Sequence, residues 1–260
     1  MGSSYVESWR CDQRKSKERA EGYSLSSLFR RLSPCPRSWT RAARLALYSL
    51  CCISSILEAQ LAISYGAFAI GLVSEMPSGP GVISESLISE IAATIPPWIS
   101  SFLLTSKQDP AAIIKQLRRC GTNTVQICDS FPIDGYKKIK DALSWMAIVQ
   151  VIHVRGPESI EEAMAIAPHV DGILLDSGNQ SLTIKELGGT GRIHDWEISR
   201  AIREAVDVPV LLAGGLNADN VVEAIRLVRP FAVDLCSGVR TNGTLDEAKL
   251  ASFFSRATGV

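Results

Sequence analysis

The sequence predicts an α/β protein with a (β/α)8 barrel of the TIM type over residues 49–260, preceded by a poorly ordered basic arm over residues 1–48. Two observations predict the barrel. Short apolar runs alternate with segments of helical period, which indicates repeated βα units. The runs are almost continuously apolar, as over 147–152 and 208–213, which is typical of parallel strands buried on both faces. Eight such units fit a compact barrel, whereas a doubly wound open sheet, the competing architecture, usually uses fewer strands.

The elements follow one another in strict alternation. The apolar runs predict strands at 49–53, 68–73, 98–104, 123–128, 147–153, 171–175, 208–213 and 231–235. The segments between them have apolar residues at helical spacing. They predict helices near 56–65, 84–94, 110–119, 135–144, 158–167, 195–205, 218–228 and 246–255. Each strand is therefore followed by one helix, which is the order that a barrel requires.

The composition excludes several classes of protein. Hydrophobic residues make up 46% and charged residues 21%, which is ordinary for a globular protein and excludes a collagen, a coiled coil and a wholly disordered chain. No run of about 18 apolar residues lacks a charge or a break, so no transmembrane helix is predicted. The formal net charge is zero, which argues against nucleic acid as the main partner. We expect a cytoplasmic protein, a monomer or a homodimer, that binds neither nucleic acid nor a membrane.

The arm differs from the barrel in charge. It carries ten basic and four acidic residues, and no acidic residue lies between Glu21 and Glu58. An Arg- and Ser-rich segment that is poor in acidic residues is typical of an organelle transit peptide, but Glu7, Asp12 and Glu18 depart from that pattern. A disordered tail and a wrongly assigned start of the reading frame are the preferred interpretations, and organelle targeting is the alternative.

The cysteines and histidines predict no metal site. The seven cysteines include no CxxC pair, and His153, His169 and His194 lack the spacing of metal ligands. Reduced thiols in a reducing compartment are the simplest interpretation. A solvated position at the start of a helix is one interpretation of His194, and no role is assigned to it.

Small residues follow the last two strands, at the end of the barrel where the chemistry of this fold takes place. Gly214 and Gly215 follow strand 7, with Asn217 as the expected cap of the next helix, and Ser237 and Gly238 follow strand 8. Loops after strands 7 and 8 are the usual phosphate site of this fold, and backbone N–H groups hold the anion without a lysine. Two glycines alone could form only a tight turn, but two adjacent loops of small residues favour a phosphate site.

A carboxylate ends strand 6. Asp176 follows four residues that are expected to be buried, and burial raises a carboxyl pKa and suits the group to general acid catalysis. A solvated Asp that caps a turn is the alternative. The long polar loop from Ser177 to Gly191 disfavours that alternative, because a loop of this length resembles a lid over a site.

Strand 1 ends at two adjacent cysteines, Cys51 and Cys52. Adjacent residues of a regular strand point to opposite faces, so at most one of the two faces the site. Spacing alone does not choose between them, and it favours inert packing over a catalytic role.

Several motifs at the strand ends together resemble the phosphoribosylanthranilate isomerase family. The resemblance runs from about Leu50 to Phe254 and is most specific after Val149. The matching segments are Gly66–Leu72, Thr124–Ile127, Leu174–Ser177, Gly188–Gly191, Asp195–Trp196, Val210–Asn217, Asn220–Val221 and Asp234–Val239.

The resemblance implies an Amadori rearrangement in tryptophan biosynthesis, in which N-(5-phosphoribosyl)anthranilate becomes an open-chain 1-deoxyribulose phosphate without a metal or an organic cofactor. It implies that Asp176 is the general acid that opens the furanose ring to a Schiff base. The family's Lys-Ile-Cys-Gly-Ile-Thr is similar to Ser49–Ser54, which implies that Cys51 is the base that removes the C2 proton. The phosphate is implied to bind at Gly214, Gly215, Ser237 and Gly238.

Some positions depart from the family pattern. Ser49 and Cys52 replace the lysine and the glycine that flank the family cysteine. Cys128-Asp129 replaces a His-Gly pair after strand 4. Gly81 stands in place of an arginine that is implied to meet the anthranilate part of the substrate. Two alternatives therefore stay open: a related barrel enzyme that acts on another phosphosugar, and an inactive paralogue that serves as a binding domain.

Overall fold

The computed structural model describes residues 47–258, which form a closed barrel of eight parallel strands surrounded by helices. The strands are β1 (Leu47–Leu50), β2 (Ala69–Val73), β3 (Ser100–Thr105), β4 (Thr124–Ile127), β5 (Ala147–His153), β6 (Gly172–Asp176), β7 (Val210–Leu212) and β8 (Ala232–Leu235). The helices are α1 (Ile56–Ser64), α2 (Glu85–Thr94), α3 (Pro110–Cys120), α4 (Ile133–Ala142), α5 (Glu158–Ile166), α6 (Trp196–Ala205), α7 (Val221–Val228) and α8 (Glu247–Ala257). A short hairpin, β9 (Arg240–Thr241) and β10 (Thr244–Leu245), precedes α8. The predicted (β/α)8 barrel is confirmed.

The first strand begins earlier than the sequence predicted. It covers Leu47–Leu50 rather than 49–53, because Tyr48 pairs with β8 and is buried against the aromatic rings of α8. The predicted boundary between the arm and the barrel therefore cuts through β1. The rest of the predicted arm, residues 1–46, lies outside the described residues. Because β1 ends at Leu50, the two cysteines that follow it belong to a loop and not to the strand.

Two apolar layers hold the barrel together. The larger lies between the strands and the helices and includes Leu50, Ile70 and Phe253, each fully buried. The smaller fills the inside of the barrel and includes Val73 and Leu174. Each fully buried side chain of this size stabilises the fold by about 1.5–3 kcal/mol. The inner layer forms the floor on which the strand-end loops rest.

The helices are short and most have a polar cap. They contain eight to eleven residues, and no helix within residues 47–258 is long and apolar enough to cross a membrane. Side chains of Ser55, Ser84, Asp109, Asp195 and Asp246 accept hydrogen bonds from the first-turn N–H groups of α1, α2, α3, α6 and α8. Such caps are worth about 1 kcal/mol each.

The expected cap of α7 was wrong. The helix begins at Val221, and Asn220 takes the capping position instead of Asn217. The side chain of Asn217 accepts a hydrogen bond from the N–H of Asp219 at 2.8 Å, so it forms a turn and not a cap. This turn extends the loop after β7 by three residues before the helix starts.

Candidate active site

The carboxyl ends of the strands meet at one cavity of about 330 Å³, counting the part that is open to solvent. Cys51 after β1, Asp176 at the end of β6 and Ser237 after β8 all line it. So do Gly214 and Gly215 after β7. The structure thus brings together five of the six residues that the sequence selected.

Gly238 is the predicted site residue that does not line this cavity. Its Cα faces the loop after β7, and a Cβ placed there would lie 2.0 Å from the carbonyl oxygen of Leu216. Glycine is required at this position for that close approach of two backbones. Gly238 therefore sets the distance between the loops after β7 and β8.

Asp176 is buried and has one oxygen available to a ligand. Its Oδ1 accepts a hydrogen bond from the N–H of Ser177 at 2.7 Å. No described residue donates to Oδ2, which lies beside Gly188, where a Cβ would come within 2.8 Å. Burial raises the pKa of this carboxyl above its ordinary value. The raised pKa favours the protonated form of Asp176, and its Oδ2 is open to a ligand, as a general acid requires.

The turn after β7 offers free backbone donors. Gly214 and Gly215 both adopt left-handed backbone angles, with φ of +83° and +64°. The N–H groups of Gly214, Gly215 and Leu216 donate to no acceptor within residues 47–258. Three successive N–H groups without a partner form a concave site that suits an anion. No Lys or Arg of the described residues lines the cavity, so an anion here depends on backbone donors.

The loop over residues 177–191, which we call the lid, covers the cavity from the β6 side. Its Gly189, Thr190 and Gly191 line the cavity, and the Thr190 hydroxyl lies 2.7 Å from the Ser177 hydroxyl. Lys185 of the lid forms an ion pair with the buried Asp129 after β4, at 2.6 Å. Asp129 is one of the two positions that replace the family's His-Gly, and here it anchors the lid.

Cys51 and Cys52 are not arranged as a regular strand would arrange them. Cys52 has a left-handed φ of +63°, which turns its side chain back towards the site. Both cysteines line a second, larger cleft that adjoins the first cavity. The expectation that at most one of the two faces the site assumed a regular strand, but β1 ends before them: Cys51 lines both spaces, whereas Cys52 lines only the second cleft.

A third cysteine, Cys236 after β8, completes a group that we call the thiol cluster: Cys51, Cys52 and Cys236. Their sulfur atoms all lie within 4.8 Å of one another, and those of Cys52 and Cys236 are 2.8 Å apart. Hydrogen bonding with Cys51 and Cys52 lowers the pKa of Cys236 to about 4, and hydrogen bonding with Cys236 raises the pKa of Cys51. Hydrogen bonding in the cluster therefore favours the thiolate form of Cys236, a residue that no sequence pattern marked as functional.

Asp234 lies next to the cluster and lines the same cavity. It pairs in register with Ser49, the residue that stands in place of the family lysine. Burial raises the pKa of Asp234 to about 7, and hydrogen bonds with Ser49 and Cys51 oppose that rise. The floor of the site therefore carries two carboxyl groups, since Asp176 lies across the same cavity.

A buried ion pair fixes the loop that carries the cysteines. Glu58 of α1 and Arg240 of β9 form two hydrogen bonds, at 3.0 and 3.1 Å, although 182 residues separate them. Arg240 also donates to the carbonyl oxygen of Cys52 at 2.6 Å, and Glu58 accepts from the N–H of Leu245 at 2.8 Å. Burial alone would raise the pKa of Glu58, but Arg240 and these N–H donors hold it below its ordinary value. Sequence reasoning missed both residues, because no local pattern links them.

The larger cleft is apolar and encloses about 460 Å³, counting the part that is open to solvent. Val73, Leu104 and Leu187 are among its lining residues, and none of the described Lys or Arg residues lines it. Gly81 stands beside Cys52, and a Cβ on Gly81 would lie 2.5 Å from the Cβ of Cys52. The cysteine that replaces the family glycine therefore occupies the space that a side chain at position 81 would need.

His194 lies beside the glycine turn after β7. Its side chain is half-buried, and its Nε2 lies 2.7 Å from the Ser199 hydroxyl. Its Nδ1 has no partner within the described residues and faces Gly214, where a Cβ would lie 2.9 Å away. Burial lowers the pKa of His194 to about 4, so the ring is neutral at pH 7.

The chain resembles proteins of known function over most of its length. Residues 104–256 match the family model described as N-(5'-phosphoribosyl)anthranilate (PRA) isomerase. The N-(5'-phosphoribosyl)anthranilate isomerase 2 of Methanosarcina mazei is 36% identical over 210 residues, which cover 80% of this chain and 92% of that protein. The phosphoribosyl anthranilate isomerase of Thermotoga maritima has a solved structure with a TM-score of 0.71 and 28% identity, over 83% of this chain and 100% of that one. Another phosphoribosyl anthranilate isomerase, solved in complex with reduced 1-(o-carboxyphenylamino)-1-deoxyribulose 5-phosphate, has a TM-score of 0.69 and 26% identity over the same shares.

Proposed function

The chain belongs to the phosphoribosylanthranilate isomerase family, and we propose that it catalyses the Amadori rearrangement of N-(5-phosphoribosyl)anthranilate to the 1-deoxyribulose phosphate in tryptophan biosynthesis. One observation carries the proposal most directly. Cys51 and Asp176 line a single cavity together with the turn Gly214–Leu216, whose N–H groups are free. An acid, a base and an anion site thus adjoin one another, as a phosphosugar isomerisation requires.

The phosphate is proposed to bind at the loops after β7 and β8. Gly214 and Gly215 supply backbone donors, and Ser237 supplies a hydroxyl at the start of a short 3-10 helix. Gly238 contributes by allowing the two loops to approach. The phosphate fixes one end of the substrate, so the ribose ring is placed between Asp176 and Cys51.

Asp176 is proposed to act as the general acid. It donates its proton to the furanose ring oxygen while the C1–O bond breaks, and the nitrogen lone pair forms the C=N bond of a Schiff base. Burial raises the pKa of this carboxyl, which favours the protonated form that a general acid needs. The neighbouring Ser177 N–H holds the carboxyl by Oδ1 and leaves Oδ2 for the substrate.

Cys51 is proposed to remove the proton from C2. It must be a thiolate to do so, and its own pKa is raised by the hydrogen bond to Cys236, by Cys52 and by burial. Asp234 hydrogen-bonds Cys51 and has a pKa raised to about 7, so it is the neighbouring base proposed to take up the Cys51 proton. The enolamine formed by loss of the C2 proton then takes up a proton at C1 and loses the proton of its C2 hydroxyl, which gives the 1-deoxy ketose. Over the whole reaction the substrate gains two protons, at the ring oxygen and C1, and loses two, from C2 and its hydroxyl.

The proposal is tested by generating phosphoribosylanthranilate in a cuvette and following the loss of its fluorescence in the presence of the full chain. We expect turnover, and we expect Asp176→Asn and Cys51→Ala each to lower kcat by at least about 100-fold. Cys120→Ala is the matched control, because Cys120 is a buried cysteine at the end of α3 that lines neither cavity. Normal turnover by both site variants contradicts the assigned roles.

A second candidate is a related barrel enzyme that acts on another phosphosugar. The observation that favours it is the larger cleft, where Gly81 replaces the family arginine and none of the described Lys or Arg residues lines the wall. This candidate predicts that ribose and ribulose phosphates raise the melting temperature, while the anthranilate compound is not turned over. An inactive binding domain predicts neither effect. Cytoplasmic location, the arm over residues 1–48 and a monomeric or dimeric state stay predictions of the sequence.

A further inference from the structure

The thiol cluster has a composition and a shape that the isomerisation does not require. Its three sulfur atoms come from the loop after β1 and the loop after β8, and 184 residues separate Cys52 from Cys236. We propose that Cys51, Cys52 and Cys236 bind one thiophilic d10 cation, with Zn²⁺ as the expected ion, in a three-sulfur site at the mouth of the barrel. The proposal departs from the sequence-based expectation of no metal site.

The spacing of the sulfur atoms fits this ion after a small adjustment. A Zn–S bond of about 2.3 Å places two sulfur ligands about 3.8–4.0 Å apart in tetrahedral or trigonal geometry. All three sulfur atoms already lie within 4.8 Å of one another. The close pair, Cys52 and Cys236 at 2.8 Å, has to separate by about 1 Å, which a change of χ1 can supply.

The backbone holds the cluster in place. The left-handed Cys52, at φ +63°, brings its thiol to the same side as that of Cys51. The Arg240 guanidinium holds the Cys52 carbonyl oxygen at 2.6 Å, and Glu58 holds the guanidinium in turn. Groups that do not contact the ion thus hold the loop that carries its ligands. Metal ligands in proteins are usually oriented by such outer partners.

The charges around the cluster favour a cation. The carboxyl groups of Asp176 and Asp234 line the same cavity as Cys51 and Cys236. Arg240 lies beside the cluster, and its positive charge is already neutralised by the ion pair with Glu58. Three thiolates bound to a divalent ion carry a net charge of −1, and the cavity leaves a fourth position for water. Soft sulfur ligands with an open position select Zn²⁺ and its heavier analogue Cd²⁺ over Mg²⁺ or Ca²⁺.

Metal binding has a consequence for the reaction. The ion takes the lone pair of Cys51 that would remove the C2 proton, so the loaded protein is inhibited until a chelator removes the ion. This consequence alone rests on the proposed function. The binding itself can be measured on a protein that turns over no substrate.

The experiment is a titration with Cd²⁺, which gives a sulfur-to-cadmium charge-transfer band in the ultraviolet. The protein is the full chain with Cys11→Ser and Cys35→Ser, so that only the cysteines at positions 51, 52, 120, 128 and 236 remain. It is kept reduced with a phosphine that binds the ion weakly. We expect the band to saturate at one Cd²⁺ per chain, and Zn²⁺ to displace it.

Two variants test the ligands independently. Cys52→Gly removes one thiol and suits the left-handed backbone, and Cys236→Ser removes another while keeping a similar size. Each is expected to lose about one third of the band and to weaken the apparent affinity by at least about 100-fold, since even loss of a ligand's partner costs about 10–100-fold. Cys120→Ala is the matched control and keeps both the band and the affinity. Thermal melts verify that the variants are folded.

Several outcomes overturn the proposal. One is the absence of a charge-transfer band in the folded, reduced parent protein. Another is an unchanged band in both Cys52→Gly and Cys236→Ser. A third is a Cys52–Cys236 disulfide that persists under reductant, seen as a mass lower by two hydrogens, because it would consume two of the three ligands. Absence of isomerase activity beside a normal band leaves the metal site intact and counts only against the proposed function.

Discussion

Gly81 and Cys52 are predicted to be an interdependent pair, and Gly81→Ala tests this. The new Cβ would lie 2.5 Å from the Cβ of Cys52 and 2.8 Å from its Cα. Real Cβ atoms do not approach that closely, so the loop must move, which costs about 1–3 kcal/mol as in other overpacked sites. The φ of +80° at Gly81 adds about 1–2 kcal/mol for any L side chain. We therefore expect Gly81→Ala to lower the free energy of unfolding by about 2–5 kcal/mol.

The control separates the two contributions. Gly121, after α3, has a similar φ of +68°, but a Cβ there meets no atom within 4 Å. Gly121→Ala therefore carries only the backbone cost of about 1–2 kcal/mol. Urea unfolding of the full chain gives both values from the midpoint and the slope. If Gly81→Ala costs no more than Gly121→Ala, the close contact with Cys52 does not limit this position.

A double-mutant cycle with Cys52→Gly tests the pair itself. Removing the Cys52 side chain relieves the contacts at 2.5 and 3.0 Å but leaves the one to its Cα at 2.8 Å. We expect a coupling energy of about 1–2 kcal/mol, with Gly81→Ala less damaging in the Cys52→Gly background. Additivity within about 0.5 kcal/mol would refute the reasoning. A positive result explains why the arginine of the family cannot simply be restored at position 81.

Three further predictions concern stability and the lid. Glu58→Gln leaves the buried Arg240 without its counter-ion, so we expect the free energy of unfolding, measured with urea, to fall by about 3–5 kcal/mol. The control is Asp141→Asn, which breaks an exposed ion pair and is expected to cost less than about 1 kcal/mol. The pKa of His194 is about 4 in the folded chain and near 6.5 in the unfolded chain. The free energy of unfolding is therefore expected to fall by up to about 3 kcal/mol as the pH drops from about 6.5 to 4. His194→Gln is expected to flatten that decline. Lys185→Met removes the ion pair that anchors the lid. We expect protease cleavage within the lid to become about tenfold faster, which corresponds to a free energy of lid opening lower by about 1.4 kcal/mol. An unchanged cleavage rate means that the pair does not hold the lid.

The sequence predicted much of the candidate site because those residues are placed by local patterns. Asp176 ends a strand of continuous apolar residues, and Gly214-Gly215 ends another, so both could be assigned to the functional end of a barrel. The capping of α7 was predicted wrongly, since Asn217 and Asn220 are both good caps and only the turn between them decides which one is used. The sequence assigned no role to His194, because burial of a loop residue depends on how the lid lies over β7.

The thiol cluster illustrates what a linear pattern does not contain. Cys51 was selected by resemblance, but Cys52 and Cys236 gave no metal-ligand spacing. They meet because β1 closes the barrel against β8 and because the backbone at Cys52 is left-handed. A left-handed residue other than glycine is uncommon, so no general rule would have placed it there.

By itself, the sequence determined the order of the strands and helices and the positions of the acid and of the glycine turn. It could do so because the period of apolar residues is set by local geometry, two for strands and 3.6 for helices. The pairs of distant residues that meet are set by the folded chain: Glu58 with Arg240, Cys52 with Cys236, and Gly81 with Cys52. These contacts depend on closure of the barrel and on the paths of the loops, and side chains brought together in that way leave no periodic signal in the chain.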